Sequence, residues 1–260
     1  MLTPVKIWLL AEVLIILIST DALVIKEMNI GEKDRLITLM TRDMGVIRAF
    51  AVGAKSIKSK KGAATGLLAY SNFSIQKKGD TYKVTEATPI KIFFGAGSDI
   101  VNLSLSQYFC ELCLVFGAND TNGEEFLRLI LNSLEFLTTN KISPSLIKAI
   151  TELRIAVMSG YMPNLVACDG CGKFEDGIMY FRLTDGTLLC ENCKSGEYCI
   201  AVDRTVLEAM RHIVYSEFKN LYSFKIPENK ADMLSRITEK YIIMQTEHNF
   251  KTLDFYNQFI

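Results

Sequence analysis

Apolar and polar positions along this chain change period near residue 95, and the change separates two kinds of predicted element. From Asp21 to Phe94 the apolar residues come in short runs broken by turn residues, with clear alternation in "FSIQ" and "YKVTEA". A period of two is that of a strand with one wet face. "DALVIKEM" reads as one strand, and "DRLITLMTRDMGVIRAFAVGA" as two that turn at Asp43-Met44-Gly45. "LLAYSNFSIQKKGDTYKVTEATPIKIFF" reads as two more, turning at Lys78-Gly79-Asp80. Both turns carry chemistry that favours hairpins. Five short strands in succession predict a small closed barrel, because closure removes exposed edges.

Beyond Gly95 apolar residues recur at three-to-four spacing, the period of amphipathic helices. "SDIVNLSLSQYFCELCLVFGA" reads as a helix, and "NGEEFLRLILNSLEFLTTN" as a second, with Asn122 as N-cap and acids in its first turn. "SPSLIKAITELRIAVMSGY" reads as a third, with Ser143 as N-cap, Pro144 at the first helical position and Gly160 near the end. After a cysteine-rich segment, "DRTVLEAMRHIVYSEF" and "PENKADMLSRITEKYIIMQTEHNF" read as two more. Their apolar faces predict packing with the first three in one bundle.

One apolar run precedes the barrel. "VKIWLLAEVLIILIST", Val5 to Thr20, is interrupted by Glu12 and is followed by no small-residue cleavage site. A bilayer span needs about 20 clean residues. The alternatives are export or anchoring, with Lys6 at the head of the run as in a signal peptide, against an upstream start or a short helix packed on the first domain. The expectation is the latter pair, with residues 1–18 an extension outside the fold and no membrane partner. The predicted order is then a barrel over 19–95 and a helical domain over 96–260, with a cysteine ribbon over 167–196 inserted.

Composition adds class and partner. With 49% apolar and 22% charged residues the chain is a folded globular protein, not a disordered one. Its net charge is zero, yet residues 1–95 hold 14 Lys/Arg against 8 Asp/Glu, and residues 96–260 hold 15 against 21. A basic first part points to a polyanionic partner. Seven cysteines, an odd number in a chain too large to need staples, argue for a reducing compartment.

Four of them form "CDGCGKFEDGIMYFRLTDGTLLCENC", two Cys-x-x-Cys pairs with 18 residues between. A tetrahedral zinc takes four thiolates at about 2.3 Å, and a two-residue gap lets one tight turn bring both sulfurs to one metal. "IMYFRL" and "GTLL" can form a hairpin between the knuckles, turning at Asp185-Gly186. Cys168, Cys171, Cys190 and Cys193 are the candidate ligands, against free thiols or disulfides. Four cysteines fill the shell, so a zinc here is structural rather than catalytic. "CELC", Cys110 to Cys113, lies within a predicted helix among Phe109, Leu112 and Leu114, and reads as core. Cys199 reads as a bystander.

"KSIKSKKG" crowds Lys55, Lys58, Lys60 and Lys61 between two predicted strands. A charge run is often only a solvated face. Here the loop belongs to the basic part, and small barrels bind single strands along a groove. Arg35, Arg42 and Arg48 on adjoining strands extend the patch, and Tyr70, Phe73 and Tyr82 are candidates to stack on bases. Enzymatic motifs are lacking. "GAGSD" is a lone G-x-G without a βαβ unit, "KKGAATG" lacks the ending of a phosphate loop, and His212 and His248 have no partner nucleophile.

The combination resembles the RecO family of recombination mediators. "DALVIKEMNIGEKDRLITLMTRDMGVIRAFAVGAK" resembles that family's opening strands, and "TELRIAVMSGYMPNLVACDGCG" its central helix running into the first knuckle. "FKTLDFY" resembles its C-terminal tag. The match spans about residues 21–256, and residues 1 to about 18 have no counterpart. The resemblance implies an α+β chain: a five-stranded oligonucleotide-binding (OB) barrel, then a helical bundle domain holding a zinc ribbon with one structural Zn²⁺. It implies a non-enzymatic protein of the cytoplasm and nucleoid that binds single- and double-stranded DNA and anneals complementary strands. With RecR it would load RecA on strands coated by single-strand-binding protein. By position, Lys55, Lys58, Lys60 and Lys61 match the basic loop, Arg35 and Arg48 the barrel cations, and the four cysteines the metal ligands. Lys148 and Arg154 are candidates to meet the acidic tail of single-strand-binding protein. Rival readings are a barrel-and-ribbon module for RNA or a transcription complex, and a hydrolase with an incidental zinc.

Overall fold

The structure, a computed structural model, describes residues 6–10, 13–56, 59, 61–93, 99–117, 123–175, 177–194 and 198–260, with side chains from residue 16 onward. Two compact units emerge, residues 1–138 with 251–260, and residues 139–250.

The first unit is built on strands β1 (Lys6–Leu10), β2 (Val13–Ile30), β3 (Asp34–Thr41), β4 (Gly45–Ala51), β5 (Ala69–Lys78) and β6 (Thr81–Ile92). Their order is β1-β2-β3-β4-β6-β5, and β5 pairs again with β2, so five strands close into a barrel. All pairings are antiparallel except β4 with β6, where Ala49 faces Tyr82 and Phe50 faces Lys83. A closed five-stranded barrel with one parallel pairing of this kind is the OB topology. Alternation sends Ile37, Leu39, Ile47, Ala49, Phe73, Ile75 and Val84 inward into one core. The hairpin turns fall where their residues predict, with Gly45 at φ 63° and Gly79 at φ 57°, the left-handed region that glycine enters without cost.

The apolar run ahead of the barrel is strand, not helix. Residues 13–18 are the first part of β2, and Ile15 to Ile18 pair with β5 from Lys78 to Ile75. That end of β5 pairs with β6 on one edge, and an eight-residue strand starting at Asp21 would leave its other edge open, so closure recruits the run that local pattern set aside. β1 then pairs antiparallel with β2 from Lys6 to Leu10.

Helices α1 (Ile100–Phe116), α2 (Glu124–Thr139) and α6 (Lys251–Tyr256) follow the barrel. α2 ends at the boundary between the units. The Asp99 side chain accepts from Asn102 N–H and caps α1. Asn122, expected to cap α2, lies outside the described residues. Cys110 and Cys113 are buried in α1, and burial pushes the Cys110 thiol up to about 12. The C-terminal segment returns as α6, where Thr252 N–H donates to Glu111 of α1 at 2.9 Å.

The second unit holds α3 (Pro144–Met158), α4 (Arg204–Tyr215) and α5 (Glu228–Thr246), together with strands β7 (Asn164–Cys168), β8 (Ile178–Arg182), β9 (Thr187–Leu189) and β10 (Cys199–Asp203). Ser143 caps α3 and Pro144 opens it, as expected. The four strands form a sheet in the order β10-β8-β9-β7, with β8 and β9 as the predicted hairpin. The helices therefore divide between the units instead of sharing one. Among the described residues no helix is long and apolar enough to cross a membrane.

A candidate metal centre and a candidate nucleic-acid interface

β7 ends on Cys168 and opens the first knuckle, whose turn closes by Gly172 N–H donating to Cys168 O at 2.8 Å. β9 ends at Leu189 and delivers Cys190 into the second, where Cys193 N–H donates to Cys190 O at 3.1 Å. The β8–β9 hairpin between them brings the knuckles together. All four Sγ atoms lie within 4.8 Å of one another, and Cys171 and Cys190 are 3.7 Å apart. Four sulfurs at the zinc–thiolate distance define a tetrahedron with edges of about 3.8 Å. The thiols can therefore hold a metal ion, and their donor set suits zinc.

The surroundings favour thiolate at Cys168 and disfavour it at Cys171 and Cys193. Burial raises the Cys168 thiol, but N–H groups of Cys190, Cys171 and Gly170 outweigh that together and bring it down to about 6. The Cys193 thiol, hydrogen-bonded to its neighbours Cys171, Cys190 and Cys168, is held up at about 12. A divalent cation removes that conflict by compensating the crowded charge. Gly170 is the close-approach residue of the site, because a Cβ there would stand 3.1 Å from both Cβ and Sγ of Cys193.

The ribbon is fastened to its helices by polar contacts. Arg211 of α4 donates to the carbonyl of Leu165 at 2.8 Å and to those of Val166 and Phe174, while its guanidinium lies over the Phe174 ring. Tyr241 of α5 donates to Tyr161 O at 2.9 Å and packs edge-on against Phe181. Gln245 donates to Leu183 O at 2.7 Å.

The basic barrel residues sort into structural and exposed. Arg35 donates to Gly62 O at 2.9 Å and to Thr65 Oγ1 at 3.2 Å, with Glu27 at 3.7 Å, so it anchors the lysine loop from behind. Arg42 pairs with Asp21 at 2.8 Å near the Tyr70 hydroxyl. Lys61 donates to Val52 O at 2.8 Å, and Lys55 is exposed. Lys58 and Lys60 lie outside the described residues. Arg48 is exposed on β4 and makes no hydrogen bond or ion pair among the described residues. Two residues on, Phe50 is 42% exposed, and its register partner on β6 is the exposed Lys83. Phe73, a candidate for stacking, is wholly buried in the barrel core.

Lys148 is interior rather than partner-facing. It is 1% exposed, and its Nζ meets Glu152 at 2.9 Å and Glu239 at 2.8 Å. Arg154 donates to the carbonyls of Ile213, Val214 and Ser216, holding the C-terminal end of α4. Each cation is engaged by its own helical unit, which is why neither stands open to a tail. Sequence reasoning did not single out Phe50, Lys83 or Gly170. Alternation in "GVIRAFA" carried a signal for Phe50, whereas the contact of Gly170 with Cys193 carried none.

Two family profiles match the chain: Recombination protein O N terminal over residues 15–93, and Recombination protein O C terminal over residues 97–254. The first match begins at residue 15, inside the run expected to have no counterpart. The chain is 32% identical over 239 residues to the DNA repair protein RecO of Acetivibrio thermocellus, covering 92% of this chain and 95% of that one. It is 32% identical over 241 residues to the RecO of Caldicellulosiruptor bescii, covering 92% and 98%.

Proposed function

The chain belongs to the RecO family of DNA repair proteins, and from that premise we propose that it is a non-enzymatic recombination mediator of the cytoplasm and nucleoid. It binds single- and double-stranded DNA, anneals complementary strands, and acts with RecR to load RecA on strands coated by single-strand-binding protein. The observation that carries this reading is the outer face of β4 and β6, where Arg48, Phe50 and Lys83 alternate cation, exposed ring and cation across one register. Cations hold backbone phosphates while an exposed ring stacks on a base, the chemistry of single-strand binding. Annealing then needs no bond chemistry, because a cationic face screens two phosphate backbones and keeps them close. By resemblance, Lys55, Lys58, Lys60 and Lys61 belong to the DNA-binding surface as its basic loop, together with Arg35 and Arg42.

The ion at the four cysteines is zinc, and its role is structural, since four thiolates complete a tetrahedral shell. The residues around it shape the knuckles and fasten the ribbon; none is placed for catalysis. With Lys148 and Arg154 engaged inside, the acidic tail of single-strand-binding protein is assigned to α5 and β10. There Tyr198, Ile200, Ile243 and Met244 line an apolar groove of about 470 Å³ edged by Lys240 and Glu247, and Arg236 and Asp232 line the neighbouring one.

The test is annealing of complementary DNA by the full chain, with bare strands and with coated strands. The expected result is annealing of both without added nucleotide, lost on reversing Lys55, Lys58 and Lys60 to Glu. Annealing that survives the reversal sinks the assignment of the basic loop. A preference for RNA over DNA of equal sequence would instead favour an RNA-binding barrel-and-ribbon module.

A further inference from the structure

Beside the Arg48–Phe50 face lies a cavity of about 530 Å³ in the first unit. Its polar wall is Arg48 from β4, Lys77 from β5, Asp80 from the β5–β6 turn and Tyr82 from β6, with Leu114 of α1 on the apolar side. The volume falls within the range of small-ligand pockets, about 300–1,000 Å³. Tyr82 is half-buried against the barrel core, which holds its ring in place. Lys77 Nζ stands 5.1 Å from the centroid of that ring. Asp80 is exposed and, like Arg48, makes no side-chain hydrogen bond or ion pair among the described residues. The Arg48 guanidinium and the Asp80 carboxylate thus line one hollow with the Tyr82 ring, neither with a side-chain partner among the described residues.

We propose that this cavity takes one unstacked nucleotide of a bound single strand and prefers an amino-bearing base, cytosine over thymine. The proposal rests on the DNA-binding reading above and adds base selectivity to it. The base stacks on Tyr82, as bases do on aromatic side chains. Its phosphate pairs with Arg48, and the Lys77 ammonium, on a flexible stem, leaves the ring for the backbone. Asp80 sets the selectivity. A carboxylate only accepts, and cytosine offers it the N4 amino group. Thymine's one N–H on that edge lies between two carbonyl oxygens that the carboxylate repels. A purely electrostatic groove has no use for an unpaired aspartate among its cations, since that charge weakens phosphate binding for every sequence alike.

The test is binding of the full chain to fluorescent dC and dT oligomers of twelve nucleotides at one fixed salt concentration. The wild type is expected to bind dC about fivefold more tightly than dT, at the lower end of what a good base contact discriminates. Asp80→Ala should erase the difference by strengthening dT and weakening dC. Tyr82→Leu should weaken both about tenfold, within the usual effect of removing a stacking ring. Tyr82→Phe keeps the ring and should retain affinity, and the thermal midpoint of each variant checks that the barrel is intact. Equal binding of dC and dT overturns the proposal, as does an Asp80→Ala variant that tightens both alike. If wild type binds neither oligomer, the DNA-binding reading itself falls, and that outcome is distinct from tight binding without preference.

Discussion

At the residue scale the second unit turns on a few close approaches. Gly186 sits at φ 68° in the β8–β9 turn, and a Cβ there would stand 2.6 Å from the Tyr241 hydroxyl and 3.2 Å from Pro163. Gly186→Ala adds a left-handed penalty of about 1–2 kcal/mol to that clash, so a lowered thermal midpoint is expected, with the Tyr241 bond to Tyr161 disturbed first. Cys171→Ser removes one soft ligand and should release the metal, read as loss of zinc from the purified chain together with loss of structure in the ribbon. The cluster of four cysteines was legible, because spacing alone brings paired sulfurs to one centre. The Asp185-Gly186 turn was legible too. Its contact with Tyr241 was not, since that neighbour comes from α5, far along the chain, and local propensity says nothing of which distant side chain meets a turn.

At the element scale α3 and α5 are joined through a buried ionic cluster. "IKAITELR" places Lys148 and Glu152 four apart, a spacing that reads as a solvent-exposed pair. Both are buried instead, with Thr238 Oγ1 donating to Glu152 at 2.6 Å and Glu239 completing the cluster. Whether a polar face meets water or a second helix is not encoded in the helix's own period, so this burial was hidden. Burial pushes the Glu152 carboxyl above its usual range, with Lys148 opposing. Because the folded value is raised, the linked stabilisation is present below the ordinary carboxyl value and is lost as pH rises through the raised one. Lys148→Met leaves two carboxylates without their cation and should cost about 3–5 kcal/mol near neutral pH. That deficit should shrink as pH falls and Glu152 takes up a proton; a deficit that grows on acidification refutes the account. Lys148→Met combined with Glu152→Leu should recover most of the loss in denaturant melts.

At the scale of the whole molecule, two compact units carry separate chemistries, a basic barrel and a ribbon on helices whose four cysteines can hold a metal ion. Chelation should therefore raise hydrogen exchange in residues 164–203 and the helices that hold them, while the amides of the barrel strands keep their protection. Loss of protection in β3 and β4 on chelation would show that the barrel's stability depends on the metal. Charge engagement is read by salt: with four to six phosphates bound on a single strand, the log-log slope of affinity should be about −3 to −4. Reversal of Lys55, Lys58 and Lys60 should flatten it. The sequence by itself determined the strand and helix periods, the hairpin turns, the pairing of the four clustered cysteines and the basic character of the first part, because each is written in neighbouring residues. Only the tertiary structure decided that residues 13–18 complete the barrel, that Arg35 is engaged by backbone and Lys148 is buried, and that Arg48, Asp80 and Tyr82 line one cavity. Those outcomes depend on which segments pair and which faces meet, and pairing between distant segments is set by closure and packing rather than by any local pattern.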